Sequence, residues 1–313
     1  MKTLDFNHLV APRDTIGETL VKLGRENLNL VVVDTDLGKS TRLVPFEQAF
    51  PDRFIQLGSQ ENNAMSIVMG LATAGLTPVF VSFTMFSIGL PWTQIRMAAY
   101  GKVPFTIIGT HPGFDIGPDG GTHQMMEDFA LARSIPWLDV HTPSDINETK
   151  SAMHTLIGNN RLNYIRIGRH PVPVWYDENV IFTPGKADLW LSEGRDLVFV
   201  ADGSTVFNAY AAASELRKEG IASSVVNIRS VKPLDEVTIR NLTKKAGLVV
   251  SVENHSLLGG LGGAIAEVIS EHGGRLLRIG SPDVFGESAS TDDLRHMYGM
   301  DVSGILKSVR ARL

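Results

Sequence analysis

Residues 57–72 read LGSQENNAMSIVMGLA, with an acid and two amides where a short apolar run ends and a helical pattern begins. An acid at a helix N-terminus gains typically under about 1 kcal/mol from the macrodipole, and that is the local reading of Glu61. The helix behind it is apolar on nearly all faces and is expected to be buried. A carboxylate at the mouth of a buried helix needs a hydrogen-bonding partner, because unpaired burial costs several kcal/mol or forces it to hold a proton. The second chemically loaded segment is THPGFDIGPDGGTHQMMED, residues 110–128. It follows an apolar strand, where open α/β sheets place their ligands, and its glycines let backbone approach a ligand closely. A histidine in such a loop titrates near neutrality and can move protons or donate to a developing oxyanion. The alternative is a surface loop in which Asp119 and His123 only cap the helix expected from residue 125.

Three nucleotide motifs fail on inspection. DLGKS (36–40) ends like a phosphate-binding loop, but Val33 stands where that loop needs its first glycine. LLGGLGGAIAE follows a strand, yet from Gly260 and Gly262 the third glycine of a dinucleotide fingerprint would fall on Ile265, which favours close helix packing. Asp202, Gly203 and Asn227 have the spacing of a magnesium-diphosphate motif, but its first glycine is replaced by Ala201.

Short β-branched runs alternating with helical periods must position these residues, the pattern of α/β folding around mostly parallel sheets. Strands are expected at 28–34, 78–83, 104–110, 137–142 and 163–168, with helices near 61–75, 87–100, 125–134 and 144–157. From Arg169 the text turns proline- and aromatic-rich without a sustained period, which predicts a linker. A second alternation follows, with strands at 196–203, 222–228 and 247–254 and helices at 204–219, 234–245 and from about 259. The chain has 313 residues, 43% hydrophobic and 20% charged, a balance suited to about two globular domains. The net charge of −5 argues against a broad nucleic-acid surface, and with no cysteine there is no disulfide, thiolate site or thiol nucleophile. No run reaches the roughly 20 apolar residues of a membrane span and no signal peptide is evident, so a cytoplasmic location is the default expectation.

Taken in order, GSQENNAMSIVMGLA, VSFTMF, THPGFDIGPDGGTHQ with PWLDVHTPSDINE, and YIRIGRH resemble the thiamine-diphosphate enzymes of the transketolase family. The match runs nearly the full length, to their pyrimidine-binding domain followed by their C-terminal domain. The resemblance implies a pyrimidine-binding domain with a mostly parallel sheet over 1–170, a linker at 171–186 and a smaller α/β C-terminal domain over 187–313. In that family the glutamate matching Glu61 hydrogen-bonds ring nitrogen N1′ of the cofactor's aminopyrimidine, favouring the imino tautomer that deprotonates thiazolium C2. Phe83 and Phe86 match the aromatic pair around the pyrimidine, although core filling is the other reading of either. Asp36 matches an acid that approaches the cofactor across a subunit interface. His123 and Asp119 match residues that contact sugar hydroxyls, and His111 the histidine near the acceptor phosphate. Arg13, Ser40 and Arg169 resemble the phosphate-anchoring set, where a guanidinium's planar fork of donors suits the ligand.

A complete transketolase is roughly twice this long, and the Gly-Asp-Gly stretch that holds magnesium and the diphosphate does not occur here. The resemblance therefore implies one subunit of a split enzyme that moves a two-carbon ketol unit between phosphorylated sugars. A partner carrying the diphosphate domain would hold most of the Mg2+ (or Ca2+) contacts, in an α2β2 assembly. A homodimer of this chain could persist without it, and the chain alone is expected to be inactive. The rivals are the β subunit of a 2-oxoacid dehydrogenase E1 component, a deoxyxylulose-phosphate-synthase-like enzyme, and a non-catalytic regulatory subunit. In this chain alone Glu61 is expected to lack a hydrogen-bond partner and to face an open cleft.

Overall fold

The computed structural model describes residues 4–5, 7–192 and 194–313. In chain order the elements are β1 (Leu9–Val10), α1 (Ile16–Glu26), β2 (Leu30–Asp34), α2 (Val44–Ala49), β3 (Phe54–Gln56), α3 (Glu61–Thr73), β4 (Thr77–Phe83), α4 (Trp92–Tyr100), β5 (Phe105–Thr110), α5 (Asp128–Arg133), β6 (Leu138–His141), α6 (Ile146–Leu156), β7 (Leu162–Ile167), β8 (Val172–Pro173), β9 (Asp188–Leu191), β10 (Leu197–Asp202), α7 (Thr205–Lys218), β11 (Ser223–Ile228), β12 (Ser230–Lys232), α8 (Glu236–Thr243), β13 (Leu248–Ser256), α9 (Leu261–Ser270), β14 (Leu276–Ser281), α10 (Thr291–Met297) and α11 (Val302–Arg310). Two compact units form. One comprises residues 5–112 and 131–183; the other is built from 113–130 and 184–313.

In the first unit a parallel sheet runs β6-β7-β5-β4-β2-β3. Its strands are near-continuous apolar runs because both faces are covered; β2, β5 and β7 are buried along their whole length. Ile16 and Leu20 of α1 and Met153 and Leu156 of α6 join Val32, Val79, Ile108 and Ile165 in one fully buried cluster. Register sets Phe83 opposite Thr110 and Thr110 opposite Ile167, so these strands end level. The proline-rich stretch after Arg169 is tied to this unit. Val172–Pro173 pairs antiparallel with Leu9–Val10, and the amides of Trp175 and Tyr176 donate to Asp145 Oδ2 at 2.7 and 2.8 Å. Asp145 also caps α6 through the Glu148 amide, and burial pushes its carboxyl above the usual range despite these donors.

In the second unit the order is β14-β13-β10-β11-β9, parallel except for β9. The glycine run before α9 is a packing device: a Cβ on Gly260 would lie 2.0 Å from Glu253 Oε2, and one on Gly262 would lie 2.7 Å from Ser251 Oγ. The Glu253 carboxylate itself accepts the Leu261 and Gly262 amides at 2.5 and 3.0 Å, so the helix N-terminus already holds an anion.

Three local expectations are corrected. Helix α4 starts at Trp92, because residues 85–89 form a wider π turn and Pro91 precedes the helix. Helix α5 starts at Asp128; the Met125 carbonyl instead accepts the Gly113 amide at 3.1 Å, which keeps the preceding residues out of the helix. Helix α3 buries one face only, Glu61, Ala64, Met65 and Val68, at helical spacing, while Asn62, Asn63, Ser66 and Gly70 are exposed.

Candidate functional site

Apart from Arg13, which follows β1, the residues singled out in the first unit lie at or just beyond the C-terminal ends of its parallel strands or at helix starts that follow them. Arg169 follows β7, His111 follows β5, Phe83 ends β4, Asp36 and Ser40 follow β2, and Glu61 opens α3 after β3. This is the edge at which open α/β sheets bind ligands.

His111 is the centre of a cationic group. Its backbone is left-handed, φ 58°, a conformation a non-glycine residue holds only where its surroundings fix it. Arg13 Nη1 donates to His111 Nε2 at 2.6 Å and to the Ser40 carbonyl at 2.9 Å. Burial, then the charges of Arg13, Arg169 and Arg42, push the His111 imidazole down to about 2, so it is neutral at any ordinary pH. Because the guanidinium can only donate, Nε2 must accept. The ring proton therefore sits on Nδ1 and points to Thr110 Oγ1, 2.8 Å away. The Arg13 backbone amide bonds the Gly168 carbonyl at 3.1 Å, which brings the start of the chain beside Arg169. Guanidinium groups, partly balanced by Asp14, gather around one neutral imidazole, a donor set chemically suited to an anion. Arg42, held by Asp14 at 2.8 Å, joins this group and was missed in the sequence, where only its place two residues after Ser40 pointed to it.

Glu61 is 8% exposed, and among the described residues its carboxylate has no hydrogen-bond or ion-pair partner. Its carboxylate oxygens are not among the buried polar atoms that lack a partner, so they reach solvent. The aromatic pair is close by sequence and in space: Phe83 and Phe86 stack with centroids 6.1 Å apart, and Phe83 lies 4.1 Å from the His111 ring. Phe83 is buried and Phe86 half-buried. The π turn that carries Phe86 approaches β5 at Gly109, where a Cβ would lie 2.9 Å from Ser87 Oγ and 2.7 Å from the Tyr164 ring. Such turns are frequent at functional sites.

Sequence reasoning also missed the residues that join the Asp36 loop to the entry of α3. Gln56 Nε2 donates to Asp34 Oδ2 at 2.6 Å, while Gln56 Oε1 accepts the Asp36 and Gly58 amides at 3.0 and 2.8 Å. Asp34 in turn accepts the Leu37 and Gly38 amides, and burial raises its carboxyl above the usual range. Asp36 is thereby fixed with φ 68° and exposed. It lines a cavity of about 380 Å³ with Lys39 and Ser40.

Asp119 and His123 belong to the second unit. Asp119 is exposed and His123 half-buried, with His123 Nδ1 3.0 Å from Thr122 Oγ1. Their loop turns on Gly117 (φ 67°) and Gly120 (φ 79°). Neither caps the helix expected at 125, since α5 begins at Asp128. Among the described residues no group of three or more acids and histidines is placed to hold a metal ion, and no helix is long and apolar enough to cross a membrane.

A mostly parallel α/β sheet in one unit and a second α/β sheet in the other define a two-domain α/β protein. The chain belongs to the transketolase family: residues 9–173 match the transketolase pyrimidine binding domain and residues 185–305 the transketolase C-terminal domain. It is 41% identical to a putative transketolase C-terminal section of Methanocaldococcus jannaschii, over 95% of this chain and 94% of that protein. It is 36% identical to a 6-deoxy-6-sulfo-D-fructose transketolase subunit of a Clostridium species, over 95% of this chain and 92% of that one. The fold superposes on a split gene transketolase, described as an inactive beta4 tetramer, with TM-score 0.89 and 37% identity over 96% of this chain and 98% of that one. It also superposes on the transketolase of Campylobacter jejuni with TM-score 0.82 and 24% identity, where it covers 98% of itself and 48% of the other chain. In extent it corresponds to the putative transketolase C-terminal section and to the split gene transketolase chain.

Proposed function

We propose that this chain is one subunit of a two-chain, thiamine-diphosphate-dependent transketolase that moves a two-carbon ketol unit between phosphorylated sugars. The observation that carries the reading is Glu61, a residue 8% exposed at the start of a helix whose carboxylate has no partner among the described residues and whose oxygens reach solvent. A carboxylate on a mostly covered residue, with its oxygens left open and unpaired, is available to hydrogen-bond a ring nitrogen of a ligand. The residues fit the aminopyrimidine end of the cofactor: Glu61 to hold the ring nitrogen, Phe83 and Phe86 to flank the ring, and Asp36 to approach it from a neighbouring subunit. Bound there, thiamine diphosphate supplies a nucleophilic carbon and an electron sink for carbon–carbon bond exchange.

The remaining roles belong to side chains of this chain. Arg13, Ser40, His111 and Arg169 take the sugar phosphate, with His111 neutral and the guanidinium groups carrying the charge. Asp119 and His123 take sugar hydroxyls, and His123 has the ordinary chemistry to pass a proton to or from them. Magnesium and the diphosphate fall to a partner subunit with a Gly-Asp-Gly stretch, in an α2β2 assembly. The lone chain should show negligible ketol transfer from a ketose phosphate, and the partner with thiamine diphosphate and Mg2+ should restore it. Robust turnover by the lone chain would overturn the reading. Relatives at 35% identity include a 1-deoxy-D-xylulose-5-phosphate synthase of Syntrophus aciditrophicus, of which this chain spans 46%. Pyruvate is therefore the competing donor to assay, and preference for it would move the function to that branch.

A further inference from the structure

The loop that carries Asp119 and His123 is fastened at its base by the second unit, through residues to which the reading above gives no role. Asn254, at the end of β13, accepts the Phe114 amide at 3.0 Å and donates from Nδ2 to Asp115 Oδ1 at 3.0 Å. Arg295, in α10, donates to the same Asp115 oxygen at 2.9 Å and to Ser204 Oγ at 2.7 Å. Asp115 is 1% exposed, Asn254 2% and Arg295 4%, so a charge pair has been taken out of water and joined by neutral donors and acceptors, with Arg295 Nε left unpaired among the described residues. Thr291 Oγ1 donates to the Phe114 carbonyl at 3.2 Å. The Phe114 ring lies flat on Tyr298, 4.9 Å between centroids and 2° between planes.

The far side of the loop is held as closely. Gln124 Nε2 donates to the Glu287 carbonyl at 2.9 Å, and Ser288 Oγ donates to the Pro118 carbonyl. Backbone meets backbone here: a Cβ on Gly121 would lie 2.8 Å from the Gly286 carbonyl oxygen, and one on Gly113 would lie 2.5 Å from the Asn254 carbonyl oxygen. Between the two anchored ends Pro118, Asp119 and Thr122 are exposed.

We infer that Asp115, Asn254 and Arg295 form a clamp by which the C-terminal domain positions Asp119 and His123 for the sugar, making the three positioning residues for substrate. The inference rests on the transketolase reading for the word substrate. The clamp itself rests on contacts within the second unit alone. A partnered buried carboxylate gives the loop one discrete arrangement, because any shift of the loop base would strand the Arg295 and Asp115 charges away from water. Tip residues built on such a base need little ordering when substrate arrives, and preorganised groups contribute most where charge develops.

The test compares wild type, Arg295→Met and Thr291→Val in the full-length chain by amide hydrogen exchange, and then in the reconstituted two-chain enzyme. The clamp predicts that exchange of the 114–124 amides accelerates about tenfold or more in R295M, with β13 and β10 amides unchanged. T291V, which removes one bond from a half-buried hydroxyl, should show a smaller acceleration confined to the same amides and serves if R295M fails to fold. In the enzyme, kcat should fall about tenfold with the affinity for thiamine diphosphate unchanged. Wild-type exchange in the loop, or acceleration spread evenly over the whole unit, would overturn the clamp. A wild-type pair with no ketol transfer but with loop-confined acceleration in R295M would overturn the transketolase reading and leave the clamp standing.

Discussion

Glu61 and Asp115 are both buried acids near the start of a segment that carries function, and they are solved in opposite ways. Asp115 is surrounded by donors from its own unit, Arg295 and Asn254. Glu61 has no partner among the described residues. A buried charge with its counter-ion in the chain is part of the scaffold; an acid whose oxygens still reach solvent and have no partner in the chain is left available to a ligand. The difference separates a residue that shapes the site from one that meets the ligand.

The contrast can be broken most sharply at Glu61. In the two-chain enzyme Glu61→Gln is expected to lower kcat by about 10²–10³-fold, measured with a ketose phosphate donor. The same variant should leave the melting temperature of the lone chain unchanged or raised, since it removes an unpartnered charge. Asp115→Ala should do the reverse in stability, costing about 3–5 kcal/mol by leaving Arg295 buried and unpaired, read from denaturant unfolding of the lone chain. If both variants destabilise equally, the distinction drawn between them is wrong.

A smaller effect is expected at the guanidinium cluster around His111. Arg13→Met removes a charged donor and should weaken binding of a phosphorylated sugar about 10–100-fold, with little change for an unphosphorylated analogue; equal loss for both would contradict a phosphate role.

The smallest effect concerns pH. His111 is held down to about 2 and His141, chiefly by burial, to about 4. Below about pH 6.5 the unfolded chain takes up protons that these folded imidazoles refuse, so their contribution is fully present above that pH and is lost as pH falls. His111→Asn, which tolerates the left-handed backbone, should reduce the slope of stability against pH between about 6 and 4.5 by up to about 1.4 kcal/mol per unit. An unchanged slope would mean that His111 is protonated in the folded chain.

Much of the architecture was legible because apolar periodicity reports burial directly. The strands ending at Asp34, Phe83 and Thr110 are near-continuous β-branched or apolar runs covered on both faces. What escaped was long-range pairing. Gln56 has no local signature, yet it joins two loops through three hydrogen bonds. Asp115 sits in a glycine-rich loop where nothing nearby announces that its partners lie 139 and 180 residues away. The apolar text of α3 suggested burial on every side, whereas its packing uses one face. Composition reports how much apolar surface a helix carries, and only topology fixes how many neighbours it has.

The central claim is that Glu61 receives its partner from thiamine diphosphate held between this chain and a second subunit. The direct measurement is ketol transfer from a ketose phosphate by this chain mixed with a Gly-Asp-Gly-bearing partner, thiamine diphosphate and Mg2+, in wild-type and Glu61→Ala form. Turnover that requires all components and falls by about 10²–10³-fold in E61A is the predicted result. Turnover by E61A near the wild-type rate, with the assembly intact, would contradict it.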